Sequence, residues 1–157
     1  GEGIAFKPLL YFIKPIDSCG ASHTYEFHLN GSVGLINDLG EIIYEPQFDK
    51  VNALPSGIIV VRKKKKYGLI NNRLKLVIPI EYDDIRDFSD RTPLTLVSIN
   101  GLKGLFDESG KVIVKPSYRE IEFFENDLFR IRTEENTLEF MDSSGRELWE
   151  DLYRELE

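Results

Sequence analysis

Apolar and polar positions alternate in short bursts along this chain, and turn residues separate the bursts. Leu94-Thr95-Leu96-Val97-Ser98-Ile99 is apolar and β-branched, Asn100-Gly101 interrupts it, and Leu102 to Phe106 resumes the run. Asn-Gly between two such runs predicts a hairpin, because a type I′ turn needs positive φ at both central residues. Asp107-Glu108-Ser109-Gly110 predicts a second tight turn, and Lys111-Val112-Ile113-Val114 a third strand closed by Pro116. The same reading places strands at 25–29, 33–36 and 41–44, at 58–62, 67–71 and 76–78, and at 129–132 and 138–141. The linking segments, such as 82–89, set Tyr82, Ile85 and Phe88 three apart, which predicts one helical turn per connector.

The bursts are copies of one phrase. It reads Val33-Gly34-Leu35-Ile36-Asn37, then Tyr67-Gly68-Leu69-Ile70-Asn71, then Lys103-Gly104-Leu105-Phe106-Asp107, with a worn fourth copy at Leu138-Glu139-Phe140-Met141-Asp142. Anchors at 34, 68, 104 and 139 carry an aromatic fourteen residues on, at Phe48, Tyr82, Tyr118 and Tyr153, which periodicity assigns to the core. A turn glycine follows at Gly40, Gly110 and Gly145, but Leu74 takes that place in the second copy, so that turn either changes type or holds strain. A fixed period of this length predicts supersecondary units that stack to bury their apolar faces. The expectation is an all-β domain of about four three-stranded antiparallel meanders, stacked as a short solenoid or superhelix. A partial or closed β-propeller is the alternative.

The expected organisation is one domain over 1–157, with repeats at 25–153. Residues 1–24 form a degenerate N-terminal cap, in which Phe12-Ile13-Lys14-Pro15 reads as the tail of a further copy. Residues 145–157 form a C-terminal cap, where Leu148, Trp149, Leu152, Tyr153 and Leu156 have helical spacing.

The phrase resembles the bacterial WG repeat, also called the KWG repeat. Tyr67-Gly68-Leu69-Ile70, Val77-Ile78-Pro79 and Tyr82-Asp83 carry the closest match, and the resemblance covers roughly residues 25–153. Val33, Tyr67, Lys103 and Leu138 stand where that family has tryptophan, which marks a divergent member. The resemblance implies a β-rich binding or scaffolding module with no catalytic motif of its own.

Composition adds limits. No apolar run approaches the ~20 residues needed to span a bilayer. Cys19 is the only cysteine, which rules out an intrachain disulfide and leans towards a reducing, cytoplasmic setting. The chain begins at Gly1 rather than Met, as expected of a processed form or a piece of a longer protein. The net charge of −7 is concentrated at the end, since residues 119–157 hold 5 Lys/Arg against 13 Asp/Glu. That field discourages contact with nucleic acid or anionic lipid.

Four groups of residues bear on function. Cys19, His23 and His28 fit neither a four-ligand metal site nor a nucleophile with its orienting group, and read as a polar linker. Arg62, Lys63, Lys64, Lys65 and Lys66 form a cationic run at a hairpin. It reads as an edge protected by lysines, as a phosphate- or acid-binding patch, or as a self-association contact with the acidic third. Glu120, Glu122, Glu125 and Asp127 could suggest paired catalytic carboxylates, but a solvated connector is the simpler reading. Phe123 and Phe124 lie among those acids. Neighbours in an extended segment face opposite ways, so one of the two is expected at the surface as a protein contact. The sequence thus predicts a non-catalytic protein-interaction module without metal or cofactor, part of a larger bacterial protein. A carbohydrate- or cell-envelope-binding module is the alternative, and the oligomeric state is left open.

Overall fold

The computed structural model describes residues 12–16 and 23–148, apart from the Phe12 side chain. Every regular element among them is a β-strand. The first sheet is β1 (Phe12–Pro15), β2 (Thr24–Leu29), β3 (Ser32–Asn37) and β4 (Ile42–Phe48), and the second is β5 (Lys50–Ala53), β6 (Ile59–Lys63), β7 (Lys66–Ile70) and β8 (Leu76–Tyr82). The third is β9 (Asp84–Ser89), β10 (Thr92–Ile99), β11 (Leu102–Phe106) and β12 (Val112–Tyr118), and the fourth is β13 (Glu120–Glu125), β14 (Leu128–Arg132) and β15 (Leu138–Asp142). Each sheet is a meander of sequential neighbours, and none closes into a barrel. The chain divides into two compact units, Gly1–Ile80 with the first two sheets and Glu81–Glu157 with the last two.

The first three sheets are therefore four-stranded rather than three-stranded, and the fourth has three strands among the described residues. The connector expected to make a helical turn is a strand, β9, paired antiparallel with β10 from Asp84↔Ser98 to Ser89↔Thr92. Extended backbone wins because β10 is held on one side by its hairpin partner β11 and leaves its other edge open. A strand there satisfies that edge and still buries Ile85 between exposed Asp84 and Arg86. Phe12–Pro15 likewise pairs with β2, at an edge of the first sheet. At the other end, Trp149 to Glu157 lie outside the described residues. The preceding residues are not helical: Glu147 bridges to Met141, and the Leu148 N–H donates to the Phe140 carbonyl at 2.9 Å.

The phrase that defines the repeat has a mechanical meaning. Its glycine is not a turn residue but sits in mid-strand on β3, β7 and β11. A Cβ on Gly104 would lie 2.6 Å from the Val114 carbonyl oxygen and 2.7 Å from the Pro116 nitrogen, and one on Gly34 would lie 2.6 Å from the Tyr44 carbonyl oxygen. The following strand bulges inward there, at the register shift on either side of the glycine, and only a residue without a side chain admits it. The last residue of the phrase holds the next turn. Asn37 Oδ1 accepts from the N–H groups of Leu39 (3.0 Å) and Glu41 (2.8 Å), and Asn71 Oδ1 from those of Arg73 (3.0 Å) and Lys75 (3.1 Å). Asp107 and Asp142 repeat the same clamp on Ser109 and Lys111 and on Ser144 and Arg146.

Leu74 keeps the turn geometry of its glycine counterparts, with φ at 59° beside 81° at Gly40 and 85° at Gly110. Left-handed backbone costs an L-residue roughly 1–2 kcal/mol. The cost is offset within the first unit: the Tyr44 hydroxyl donates to the Leu74 carbonyl at 3.0 Å and accepts from the Leu76 N–H at 3.0 Å, and the Leu74 side chain packs on the core.

Each unit has its own apolar seam. Val33, Leu35 and Phe48 meet Val51, Ile59, Val61 and Ile70 in the first. Leu94, Leu96, Leu105 and Val114 meet Ile121, Phe129, Ile131 and Met141 in the second. A fully buried side chain of this kind contributes about 1.5–3 kcal/mol, so these seams carry most of the stability. Phe48 and Tyr82 are buried as the periodicity requires, Tyr118 is half-buried, and Tyr153 lies outside the described residues.

Candidate functional site

The first strands of consecutive sheets border a cleft in each unit, built from equivalent positions. In the first unit Lys14, Pro15 and Ile16 face Val51, Asn52 and Ala53, with Glu26 between, and the space is about 110 Å³. In the second unit Arg86, Asp87 and Phe88 face Ile121, Glu122 and Phe123, with Leu96 at the place of Glu26, and the space is about 490 Å³. The pairing registers align these residues one to one, because Val51 and Ile121 lie opposite Val61 and Ile131 in their sheets. Ile16 thus becomes Phe88, Ala53 becomes Phe123 and Glu26 becomes Leu96. A polar notch in one unit is an aromatic-floored cleft in the other, and only the second reaches the roughly 300–1,000 Å³ of ligand sites.

The floor of the larger cleft is fixed from beneath. Phe129 of β14 is fully buried, and Phe88 meets it edge-on at 5.0 Å between ring centroids and 81° between planes. Phe123 meets the same ring at 6.0 Å and 51°. Aromatic pairs in these geometries add to what area burial alone supplies. The Arg91 guanidinium carbon stands 5.6 Å from the centroid of Phe123, within cation–π range. Glu122 is held by the Arg130 guanidinium, whose Nε donates at 3.0 Å and whose Nη2 donates to the same oxygen. That hydrogen bond, with the Arg130 charge, keeps the Glu122 carboxyl below its ordinary value.

The paired phenylalanines separate. Phe123 turns into the cleft and is half-buried, while Phe124 is 49% exposed and stacks edge-on against Phe140 at 5.9 Å. A register shift between Phe123↔Phe129 and Glu125↔Leu128 leaves Phe124 as the extra residue of a bulge. It borders an outer face on which Glu120 pairs with Arg132 at 3.1 Å and Glu122 with Arg130, next to exposed Leu138. Glu120 and Glu122 are thus engaged by arginines across the sheet. A general acid needs a raised pKa, and Glu122 is lowered.

The cationic run lies in the first unit. Arg62 and Lys63 end β6, Lys66 and Tyr67 begin β7, and Lys64 and Lys65 are the exposed two-residue turn. His23 Nδ1 lies 3.1 Å from Asp38 and His28 Nε2 3.3 Å from Glu26, two separate pairs, and Cys19 lies outside the described residues. Among the described residues no group of His, Cys, Asp and Glu is placed to hold a metal ion, and no helix is long and apolar enough to cross a membrane.

Phe88, Leu96, Arg86 and Arg91 are missing from the expected site residues. Periodic spacing assigned the connector aromatics and strand leucines to the core without asking which repeats differ there. The signal is a column-by-column comparison: Glu26 against Leu96 changes polarity at one repeat position, and Ala53 against Phe123 changes size at another.

Comparison with known proteins gives one result for the family. The model of the WG containing repeat matches residues 34–67, 67–102 and 104–136 in succession. No curated protein matches the chain.

Proposed function

The chain belongs to the WG containing repeat family, and on that premise we propose that it is a non-catalytic protein-interaction and scaffolding module of a larger bacterial protein. Its contact site is the cleft of the second unit. The observation that carries this reading is the change from a notch of about 110 Å³ to an aromatic-floored cleft of about 490 Å³ at equivalent positions. Apolar Phe88, Leu96 and Phe123 with Arg86 and Arg91 at the rim match the make-up of interface centres, where aromatics and arginine are enriched. Because β9 and β13 are edge strands of their sheets, an extended peptide side by side with them gains main-chain hydrogen bonds as well as side-chain anchors. A glycan platform would use several exposed aromatic faces, whereas Phe88 and Phe123 are both half-buried. The repeats form a short solenoid on this reading, because each unit buries its seam between consecutive sheets.

Peptides selected from a random displayed library on the whole chain test the proposal by amide chemical-shift mapping. The expected result is that shifts concentrate on β9, β13 and the Arg91 turn. Shifts confined to the first unit, or selection of no peptide, overturn it.

A further inference from the structure

The first sheet has two faces, and the seam of its unit uses one. Val33, Leu35 and Phe48 point into that seam. The opposite face is built from Ile13, Tyr25, Phe27 and Ile36, which the pairing registers set side by side around Gly34. The same registers identify their counterparts. Val51, Ile59, Val61 and Ile70 hold these positions in the second sheet, and Ile121, Phe129, Ile131 and Met141 in the fourth. With these counterparts the second and fourth sheets meet the sheet before them. Among the described residues no sheet precedes the first. Ile13 is accordingly 50% exposed where Val51 is 8% and Ile121 5%, and Tyr25 and Ile36 are half-buried where Ile59, Ile70 and Phe129 are fully buried. A recess of about 280 Å³ lies on this face, bordered by Ile13, Tyr25, Ile36 and the turn at Asn37, Asp38 and Gly40. Leu39 of the same turn is exposed.

The fourth sheet also has a face that its seam leaves unused. Phe129, Ile131 and Met141 enter the seam, and the opposite side carries Phe124, Leu138 and Phe140 beside the Glu120–Arg132 and Glu122–Arg130 pairs. Phe124 and Leu138 are both exposed. Charge divides between the units as well. Residues 1–80 hold 10 Lys/Arg against 7 Asp/Glu, a balance of +3, and residues 81–157 hold 10 against 20, a balance of −10.

We propose that copies of this chain associate head to tail, the open face of the first sheet docking on the outer face of the fourth sheet of a second copy. The first-sheet face carries, position for position, the residues that this repeat buries against a neighbouring sheet, so another sheet of the same repeat fits it. Charge selects which sheet. A unit at +3 is attracted to a unit at −10, whereas two first units or two second units repel. The contact joins unlike faces, so every added copy leaves one face of each kind open for the next. It goes beyond the peptide-binding reading and does not require it, because Phe88, Leu96 and Phe123 take no part.

The test is sedimentation velocity of the whole chain over a range of protein and salt concentrations. Two variants, Ile13→Ser with Leu39→Ser and Phe124→Ser with Leu138→Ser, each strip exposed apolar side chains from one face and leave the net charge unchanged. The unaltered chain should gain mass with concentration and lose it with salt. Each variant alone should associate at least tenfold more weakly. An equimolar mixture of the two should form pairs that stop at two chains, because each keeps the face that the other has lost. A single-chain mass at every concentration overturns the proposal. So does undiminished association of the Phe124→Ser, Leu138→Ser variant, since the contact would then join two first-sheet faces. A mixture no heavier than its parts overturns the head-to-tail arrangement, and association indifferent to salt overturns the part assigned to charge.

Discussion

The two units build different surfaces on the same scaffold. Both set a glycine under an inward bulge, clamp the following turn with an Asn or Asp side chain and bury one apolar seam. They part where those requirements fall silent. The first unit closes its cleft to about 110 Å³ around Glu26 and Ala53, and the second opens it to about 490 Å³ over Phe88 and Phe123. The first ties its sheets with a tyrosine and carries a cationic hairpin. The second has Val114 at the place of Tyr44 and an arginine–carboxylate ladder on its outer face. Positions that agree between repeats hold the fold, and positions that differ are free to make contacts.

The sharpest way to break this division is to exchange a residue that all well-formed copies share for one the worn copy lacks. Gly104→Ala should cost about 2–3 kcal/mol in chemical denaturation, because its methyl group meets backbone at 2.6 Å. Glu139→Ala, at the same repeat position, should change stability by less than about 0.5 kcal/mol. Similar values for the two would mean that the glycine is a relic of ancestry and not a packing requirement. A smaller effect separates the units. Tyr44→Phe removes a hydroxyl that both donates and accepts, and should destabilise the first unit by about 1–2 kcal/mol. Hydrogen exchange should register this on β7 and β8 while β10 and β11 keep their protection.

The most local contrast is in pH. Turn clamps in the first unit are Asn37 and Asn71, which do not titrate, and those in the second are Asp107 and Asp142. Burial pushes both aspartates up. It is outweighed by the hydroxyls of Ser109 and Ser144, by backbone N–H groups, and by Lys111 beside Asp107 and Arg146 hydrogen-bonded to Asp142, so both carboxyls fall below their ordinary value. Their stabilisation is therefore whole above about pH 4, and it is lost as pH falls through the lowered folded values. Amide exchange at Ser109, Lys111, Ser144 and Arg146 should accelerate on acidification, corrected for intrinsic rates, and that at Leu39, Glu41, Arg73 and Lys75 should not. Asp107→Asn should remove the difference at its own turn.

Much of this fold was legible in the sequence, and the misreadings have physical causes. Asn100-Gly101 named its hairpin because few residues accept two positive φ values in succession. Tyr82, Ile85 and Phe88 suggested a helical turn because apolar spacing over one short segment fits either period. The open edge of β10, a tertiary fact, decided for a strand. The anchor glycines fall inside predicted strands, and only the 2.6 Å clearance shows why glycine is required there. The cleft was half legible. The divergence of Phe123 and Phe124 followed from strand geometry, but Phe88 and Leu96 join Phe123 only through packing between sheets.

The central claim is that the second cleft binds because its residues differ from those of the first. Phe88→Ile with Phe123→Ala gives it the residues of Ile16 and Ala53, and affinity for a library-selected peptide is the measurement. The account predicts at least a tenfold loss in a chain whose β10 and β11 amides stay protected. Unchanged affinity in that folded variant would contradict it.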